Sequence, residues 1–379
     1  MLTTKAQNNI QRVLQEIESN NTTLLALQKQ IEAKKIGNKT GIYLPNPEVE
    51  FGHLWGSPTE LGNENSIIVK QSLDFPTVYS HRSKISNMEN KNLDILYNSE
   101  RINILLKAKK LAIELAYYNA LSNDYVIRVQ MAKEISDSYD RMYEQGEIAK
   151  LERNQVNMSL ISCINDTRKI DIERKALLNE LKSLNGGKDI DFNATETPIS
   201  PLPKNFNQWY AEVELHSPLI QHLNQQINIG RQQVKLKKAL SLPKISAGYS
   251  YEEILNEKLQ GIIFGVTIPL WENKNTVKQA KAELLSNEYS LEDNKLQFYN
   301  HLYTLYEKSV GLQEAVDQFR KTLSSYNSVP MLRKAHESGE ISLLNYFIQA
   351  EAYYDAYNNM LEIERDYAIA IAVLTAVLL

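Results

Sequence analysis

Apolar residues in the C-terminal half fall three and four positions apart, as in Leu296, Tyr299, Leu302, Tyr303, Tyr306 and Val310. That period draws one stripe along a helix and suits coiled-coil-like packing against a second helix. The same reading predicts a first helix over residues 22–36, a long helix over 77–145 and a return helix over 147–184. A second series follows: a helix from Ser217-Pro218 to Leu240, a long helix over 275–338 and a return helix from Glu340 onward. Ser217 is a good N-cap, and Pro218 is preorganised for a first helical position. Gly146 and Gly339 mark tight turns that fold each long helix into an antiparallel hairpin. A helix of this length spans about 100 Å at ~1.5 Å per residue, far beyond what a small core needs.

Four short segments alternate with period two instead. Val49, Phe51, His53 and Trp55 point one way in the first; Ile67, Val69, Gln71 and Leu73 do so in the second. Ile245, Ala247, Tyr249 and Tyr251 form the apolar side of the third, and Ile262, Phe264, Val266 and Ile268 that of the fourth. Strands of about 8 to 10 residues are long enough to cross a bilayer when tilted. Tyr43, Trp55, Phe75 and Trp271 stand near their ends, as in an interfacial girdle. Alternation alone fits a soluble sheet with one buried face equally well. The arrangement decides: four strands cannot close a barrel, lipid does not tolerate an open edge, and three copies would supply twelve strands.

The two series are an internal duplication. Tyr143-Glu144-Gln145-Gly146-Glu147-Ile148 recurs as His336-Glu337-Ser338-Gly339-Glu340-Ile341, and Leu44-Pro45 recurs as Leu242-Pro243 before an alternating segment. The expected organisation is therefore a first repeat over 1–185, a linker or equatorial segment over 186–217 and a second repeat over 218–379. The linker carries Gly186-Gly187 and Pro198, Pro201 and Pro203. The fold class is mainly α with a small β part: long antiparallel α-hairpins plus four strands per chain.

Composition narrows the chemistry. A net charge of −4 over 379 residues argues against a nucleic-acid binder that relies on a phosphate-neutralising surface. Twenty-one tyrosines against eight phenylalanines suit surfaces that are apolar on one side and wet on the other. The single cysteine, Cys163, forms no internal disulfide and reads as a small core residue. The six histidines show no metal-ligand spacing, and there is no HExxH motif or phosphate loop. No metal, cofactor or catalytic site is expected, and the chain reads as a non-enzyme. No stretch has the apolar length of a transmembrane helix; residues 367–379 come nearest and read as a packed helix. Met1–Asn9 is polar, so no signal peptide is read at the start, which fits a cytoplasmic protein or a chain whose signal has been removed.

With these residues assembled, the chain resembles the TolC-type outer-membrane efflux proteins, and within them the CusC-like group. The resemblance covers nearly the whole chain. Its best motif is Gly339-Glu340-Ile341-Ser342-Leu343-Leu344-Asn345-Tyr346-Phe347-Ile348-Gln349-Ala350-Glu351, with a looser copy from Gly146 to Asn157 and Leu44-Pro45-Asn46-Pro47 before the first strand. It implies a homotrimer with a twelve-stranded barrel in outer-membrane lipid and a helical tube through the periplasm. It also implies a periplasmic adaptor and an inner-membrane transporter as partners, and passive export of drugs or metal ions. Val49, Phe51, Trp55, Ile67, Val69, Ile262, Phe264 and Val266 are then the lipid-facing set. The tip and gate fall on Gly146, Glu152, His336, Gly339, Glu340, Asn345, Ile348 and Glu351. Asn345 and Ile348 stand where the family often has Asp, which puts an acidic ring in doubt; Glu340 and Glu351 remain as charges. The resemblance also pairs Glu152 with His336, in place of the usual tyrosine, and Pro330 is expected to bend the second hairpin near its tip. The rival reading is a soluble coiled-coil scaffold or a periplasmic adaptor.

Overall fold

The computed structural model describes residues 2–197, 201–325 and 329–379. In chain order it comprises α1 (Leu2–Asn20), α2 (Thr22–Gly37), β1 (Glu48–Leu54), β2 (Glu64–Leu73), α3 (Pro76–Glu144) and α4 (Lys150–Leu184). Then follow α5 (Phe206–His216), α6 (Pro218–Leu240), β3 (Lys244–Ile254), β4 (Glu257–Thr267), α7 (Thr276–Ser325), α8 (Val329–Glu337) and α9 (Leu343–Leu374). The order helix, two strands, long helix and return helix thus occurs twice.

The boundaries follow local chemistry. Pro76 opens α3, whose 69 residues run unbroken to the turn at Gly146. Ser217 caps α6 as expected, its hydroxyl accepting from the Ile220 amide at 3.5 Å with Pro218 behind it. The counterpart of α3 in the second half is described as two helices, α7 and α8. Pro330 is the second residue of α8, where its missing N–H costs no helical bond.

Two elements depart from the sequence reading. A helix, α1, precedes residue 22: Ile10, Val13, Leu14 and Ile17 are buried on one face, and Arg101 holds Glu18 through two hydrogen bonds of 2.6 and 2.9 Å. Asn21 separates α1 from α2; its side chain caps the Leu24 amide at 2.9 Å and donates to the Leu184 carbonyl at 2.8 Å. The linker also holds a helix, α5. Asn205 caps it, and Phe206, Tyr210 and Val213 enter a core with Leu302, Val316, Tyr367, Ile371 and Leu374. Tyr299 and Tyr303 meet Phe206 edge-on at 5.4 and 5.2 Å, so this core is built largely from aromatic edges and faces.

The chain forms two compact units, each assembled from both halves. The first takes residues up to Ala26, Glu100–Glu214 and Phe298–Leu379; the second takes Leu27–Ser99 and Leu215–Gln297. In the second unit α6 meets α3 through polar seams, His222 to Asn92 at 2.7 Å and Gln225 to the Met88 carbonyl at 2.7 Å. The same unit carries the sheet, antiparallel throughout in the order β1-β2-β3-β4.

Candidate functional site

Strand pairing decides which side chains share a face, because directly paired residues point the same way. Val49 pairs with Val69, Val69 with Tyr249, and Tyr249 with Ile262. Phe51, Ile67 and Tyr251 form a second row, Gln71, Ala247 and Phe264 a third, and Leu73, Ile245 and Val266 a fourth. The alternation read from sequence therefore becomes one continuous apolar surface. Among the described residues nothing covers it: Phe51, Ile262 and Phe264 are 72%, 73% and 77% exposed. Trp55 and Trp271 are still more exposed, just beyond the strand ends.

The opposite face is polar and small. It carries Glu48, Glu50, Glu64, Ser66, Lys70, Ser72, Ser246, Ser250 and Glu252, and also Gly52, Gly248, Gly261 and Gly265. A Cβ at Gly248 would come within 2.7 Å of the Val69 carbonyl oxygen. In β2 and β3 this face is the more shielded of the two although no element among the described residues covers it, as on the concave side of a curled sheet.

At the hairpin ends the two repeats match atom for atom in their turns. Gly146 and Gly339 adopt φ of 74° and 77°. Each donates to a carbonyl three residues back (Tyr143, His336), and the next amide reaches five residues back, Glu147 to Met142 and Glu340 to Ala335. These are paired Schellman caps, in which only glycine takes the left-handed conformation without strain. An added Cβ would meet no atom at either site, so conformation and not space calls for glycine. The helices that follow differ: Ser342 caps α9 through the Asn345 amide at 3.3 Å, whereas Ala149 offers α4 no side-chain cap.

Asn345, Ile348 and Glu351 lie three residues apart on one exposed face of α9, with Tyr346 and Ala350 buried on the other. Glu340 is exposed in the turn. Glu152 and His336 are not brought together. His336 places Nδ1 3.3 Å from the Ile341 carbonyl and stacks on Tyr346 at 5.5 Å. Glu152 lies near Tyr139 of its own hairpin; burial first, and then the Glu152 charge, pushes that phenol up. The geometric reason is local: the Schellman turn folds Ile341 back under His336 and offers the ring an acceptor five residues away.

Other contacts do join the hairpins. On the surface, Arg333 of α8 reaches Glu134 of α3 at 3.2 Å and its own Glu337 at 2.8 Å. Deeper, the Arg128 side chain of α3 is only 8% exposed. It pairs with Asp124, donates to Asn358 of α9 at 2.9 Å, and lies 3.9 Å from the Tyr354 ring centre and 4.5 Å from that of Tyr125. Burial raises the Asp124 carboxyl despite Arg128, and burial pushes Tyr354 up to about 12. Beside this clasp lies a cleft of about 400 Å³ lined by Tyr125, Arg128, Cys163, Glu351, Tyr354 and Asp355. Cys163 is thus half-buried at a cleft wall instead of inside a core, and burial keeps its thiol protonated. The clasp had one sequence signal: Arg128 sits on the apolar stripe of Leu121, Tyr125, Ala132 and Ile135.

Among the described residues no three His, Cys, Asp or Glu side chains are grouped to hold a metal ion, and no helix is long and apolar enough to cross a membrane. The family model described as outer membrane efflux protein matches residues 209–378. No curated protein matches the chain. Among solved structures, the chain is similar to the CmeC outer membrane channel of Campylobacter jejuni, with TM-score 0.77 and 16% identity, covering 97% of this chain and 85% of that one. A membrane protein from Pseudomonas aeruginosa superposes with TM-score 0.80 and 14% identity, covering 98% and 90%. CusC superposes with TM-score 0.77 and 13% identity, covering 98% and 92%. At these identities the likeness is one of fold.

Proposed function

We infer, from the match of residues 209–378 to the outer membrane efflux protein model and the likeness in fold to outer-membrane channels, that the chain is one subunit of a TolC-type exit duct through which an efflux pump empties across the outer membrane. The observation that carries this reading is the sheet. Four strands present an uncovered apolar face, a glycine- and serine-rich face behind it, and two edges, β1 and β4, that no strand among the described residues pairs. In lipid such edges must be closed, and three copies close them with twelve strands. Val49, Phe51, Ile67, Val69, Ile262, Phe264 and Val266 then meet hydrocarbon, Trp55 meets the interface, and the polar face lines a water-filled lumen.

The hairpins form the periplasmic part of the duct, with Gly146 and Gly339 at its inner end. Asn345, Ile348 and Glu351 face the passage there, so the constriction presents one carboxylate per chain on this helix face, with an amide and an isoleucine where the family often has acids. The partners are two further copies, a periplasmic adaptor and an inner-membrane transporter that supplies the energy; the duct does no chemistry. The cargo class, drug or metal ion, is set by that transporter.

The test is membrane fractionation of wild type and of Val69→Arg and Phe264→Arg. Wild type should sediment with the outer membrane and run as a trimer in detergent. An arginine near the midplane of the lipid face costs roughly 2–4 kcal/mol, enough to deplete the trimer. Unaltered assembly of both variants, or a wild-type monomer soluble without detergent, would remove the barrel.

A further inference from the structure

The register inside the sheet carries enough geometry to infer how one copy joins the next. Val49, Val69, Tyr249 and Ile262 lie on one row that runs straight across the strands. If that row closed on itself in a trimer, Ile262 would face Val49 of the next copy and the strands would stand parallel to the barrel axis. Barrel strands tilt by about 35–45°, so the row must arrive displaced along β1. The displacement must be an even number of residues, or apolar side chains would meet the lumen face.

Threefold symmetry gives each of the three joints the same slip. With a rise of ~3.3 Å per residue and ~4.8 Å between strands, slips of two, four and six residues give tilts of about 19°, 35° and 46°. A slip of two is too upright. A slip of six leaves Glu48 and Val49 without a partner in β4, and a slip of four in the opposite sense leaves only Glu48, Val49 and Glu50 opposite β4, with Glu50 facing Glu257.

We infer that β1 of one copy pairs antiparallel with β4 of its neighbour so that Glu48 faces Thr267 and Phe51 faces Phe264. This rests on the trimeric-barrel reading above. In this register all of β1 is paired, from Glu48 opposite Thr267 to Leu54 opposite Gly261. Val49 meets Val266, Phe51 meets Phe264 and His53 meets Ile262, which joins the most exposed apolar side chains of the two edges. No charged residue faces another across the joint.

The β3–β4 turn shows where a cross-link will fit. Leu255 and Asn256 have φ of 50° and 70°, a two-residue turn that makes Ile254 and Glu257 a hydrogen-bonded pair. Lumen-face residues of β4 therefore bond towards β3, and at the free edge their pairs are the non-hydrogen-bonded ones, where Cβ atoms come closest.

The experiment uses the full chain in a Cys163→Ser background, with Thr267→Cys combined with either Glu48→Cys or Glu50→Cys. Mild oxidation in membranes is followed by non-reducing electrophoresis. The Glu48→Cys/Thr267→Cys variant should link chains into reducible dimers and trimers on the order of ten-fold more than Glu50→Cys/Thr267→Cys, whose Cβ atoms are diagonal at roughly 7–8 Å. A stronger link in the Glu50→Cys variant would overturn the register in favour of the six-residue slip. Links in neither variant, from protein that still runs as a trimer in detergent, would overturn the β1–β4 joint. A monomer in detergent would remove the barrel reading together with the inference.

Discussion

Replacing Arg128 by methionine is the sharpest probe of how the two hairpins hold together. The side chain is 8% exposed and spans from α3 to α9. Its loss strands Asp124, which is itself 80% shielded by its 20% exposure, and leaves the Asn358 side-chain oxygen without its donor. Breaking a buried pair from one side costs about 3–5 kcal/mol, because the remaining charge stays buried. The two aromatic faces over the guanidinium add about 0.5–2 kcal/mol, which methionine recovers in part by packing. Removing both charges in Asp124→Leu/Arg128→Met leaves no stranded charge, only the Asn358 oxygen short of its donor, and should recover most of the single variant's deficit. The pH dependence has a definite sign. Asp124 has a raised pKa in the folded protein, so the native state holds its proton more tightly than the unfolded chain, and its ionisation costs stability as pH rises through the folded value. Without Arg128 that value climbs further. The deficit of Arg128→Met should therefore be smaller at pH 4 than at pH 7, because Asp124 takes up its proton as pH falls. The assay is urea unfolding of the detergent-solubilised chain, followed by circular dichroism at both pH values. A deficit independent of pH, or a double variant as weak as the single, would refute the buried-pair account.

Three further outcomes are expected. Arg at Val69 or Phe264 should deplete the detergent-stable trimer, read by native electrophoresis, while Arg at Ser66 on the opposite face should not. Ser342→Ala should cost about 1 kcal/mol in the same unfolding assay and Ala149→Ser should gain about 0.5–1 kcal/mol, since the two caps occupy equivalent places. Arg333→Ala should change stability by less than about 1 kcal/mol, because both members of the Arg333–Glu134 bridge are 47% exposed. Its effect belongs in the open probability of single channels, where a surface tie between hairpins registers even when its net energy is small.

What was legible in the sequence divides by range. The ends of α3 carry strong local signals in Pro76 and Gly146, and the reading of 77–145 lies within one residue of the helix found. The apolar rows were legible because period two needs no partner to be recognised, and the register then aligned all four strands on one face. α1 was within reach: Ile10, Val13, Leu14 and Ile17 carry helical spacing, although the polar residues before them carry no apolar period. α5 was hidden by the prolines before it, although Phe206, Tyr210 and Val213 repeat at four and three. The clasp was not legible. Arg128 and Asn358 are 230 residues apart, and nothing local tells an arginine on an apolar stripe which distant amide it will meet. Within the chain Glu152 and His336 do not meet for the converse reason: the turn offers the His336 ring the Ile341 carbonyl, only five residues away.

The tie made by Arg101 has a consequence for the order in which the chain acquires its structure. This side chain grips Glu18, 83 residues behind it, and the backbone oxygen of Leu379, 278 residues ahead. The aromatic core around Phe206 likewise waits for Tyr367, Ile371 and Leu374. Contacts of such long sequence separation carry a heavy loop-closure cost and form late. The early helices can coil as they emerge, but the unit containing both α1 and α9 cannot close until the last helix is made. Until then the apolar faces of α1 and α5 stand unprotected. A chain built this way needs an escort during biogenesis, and pulse-labelled protease protection should show α1 becoming resistant only after α9 has been synthesised.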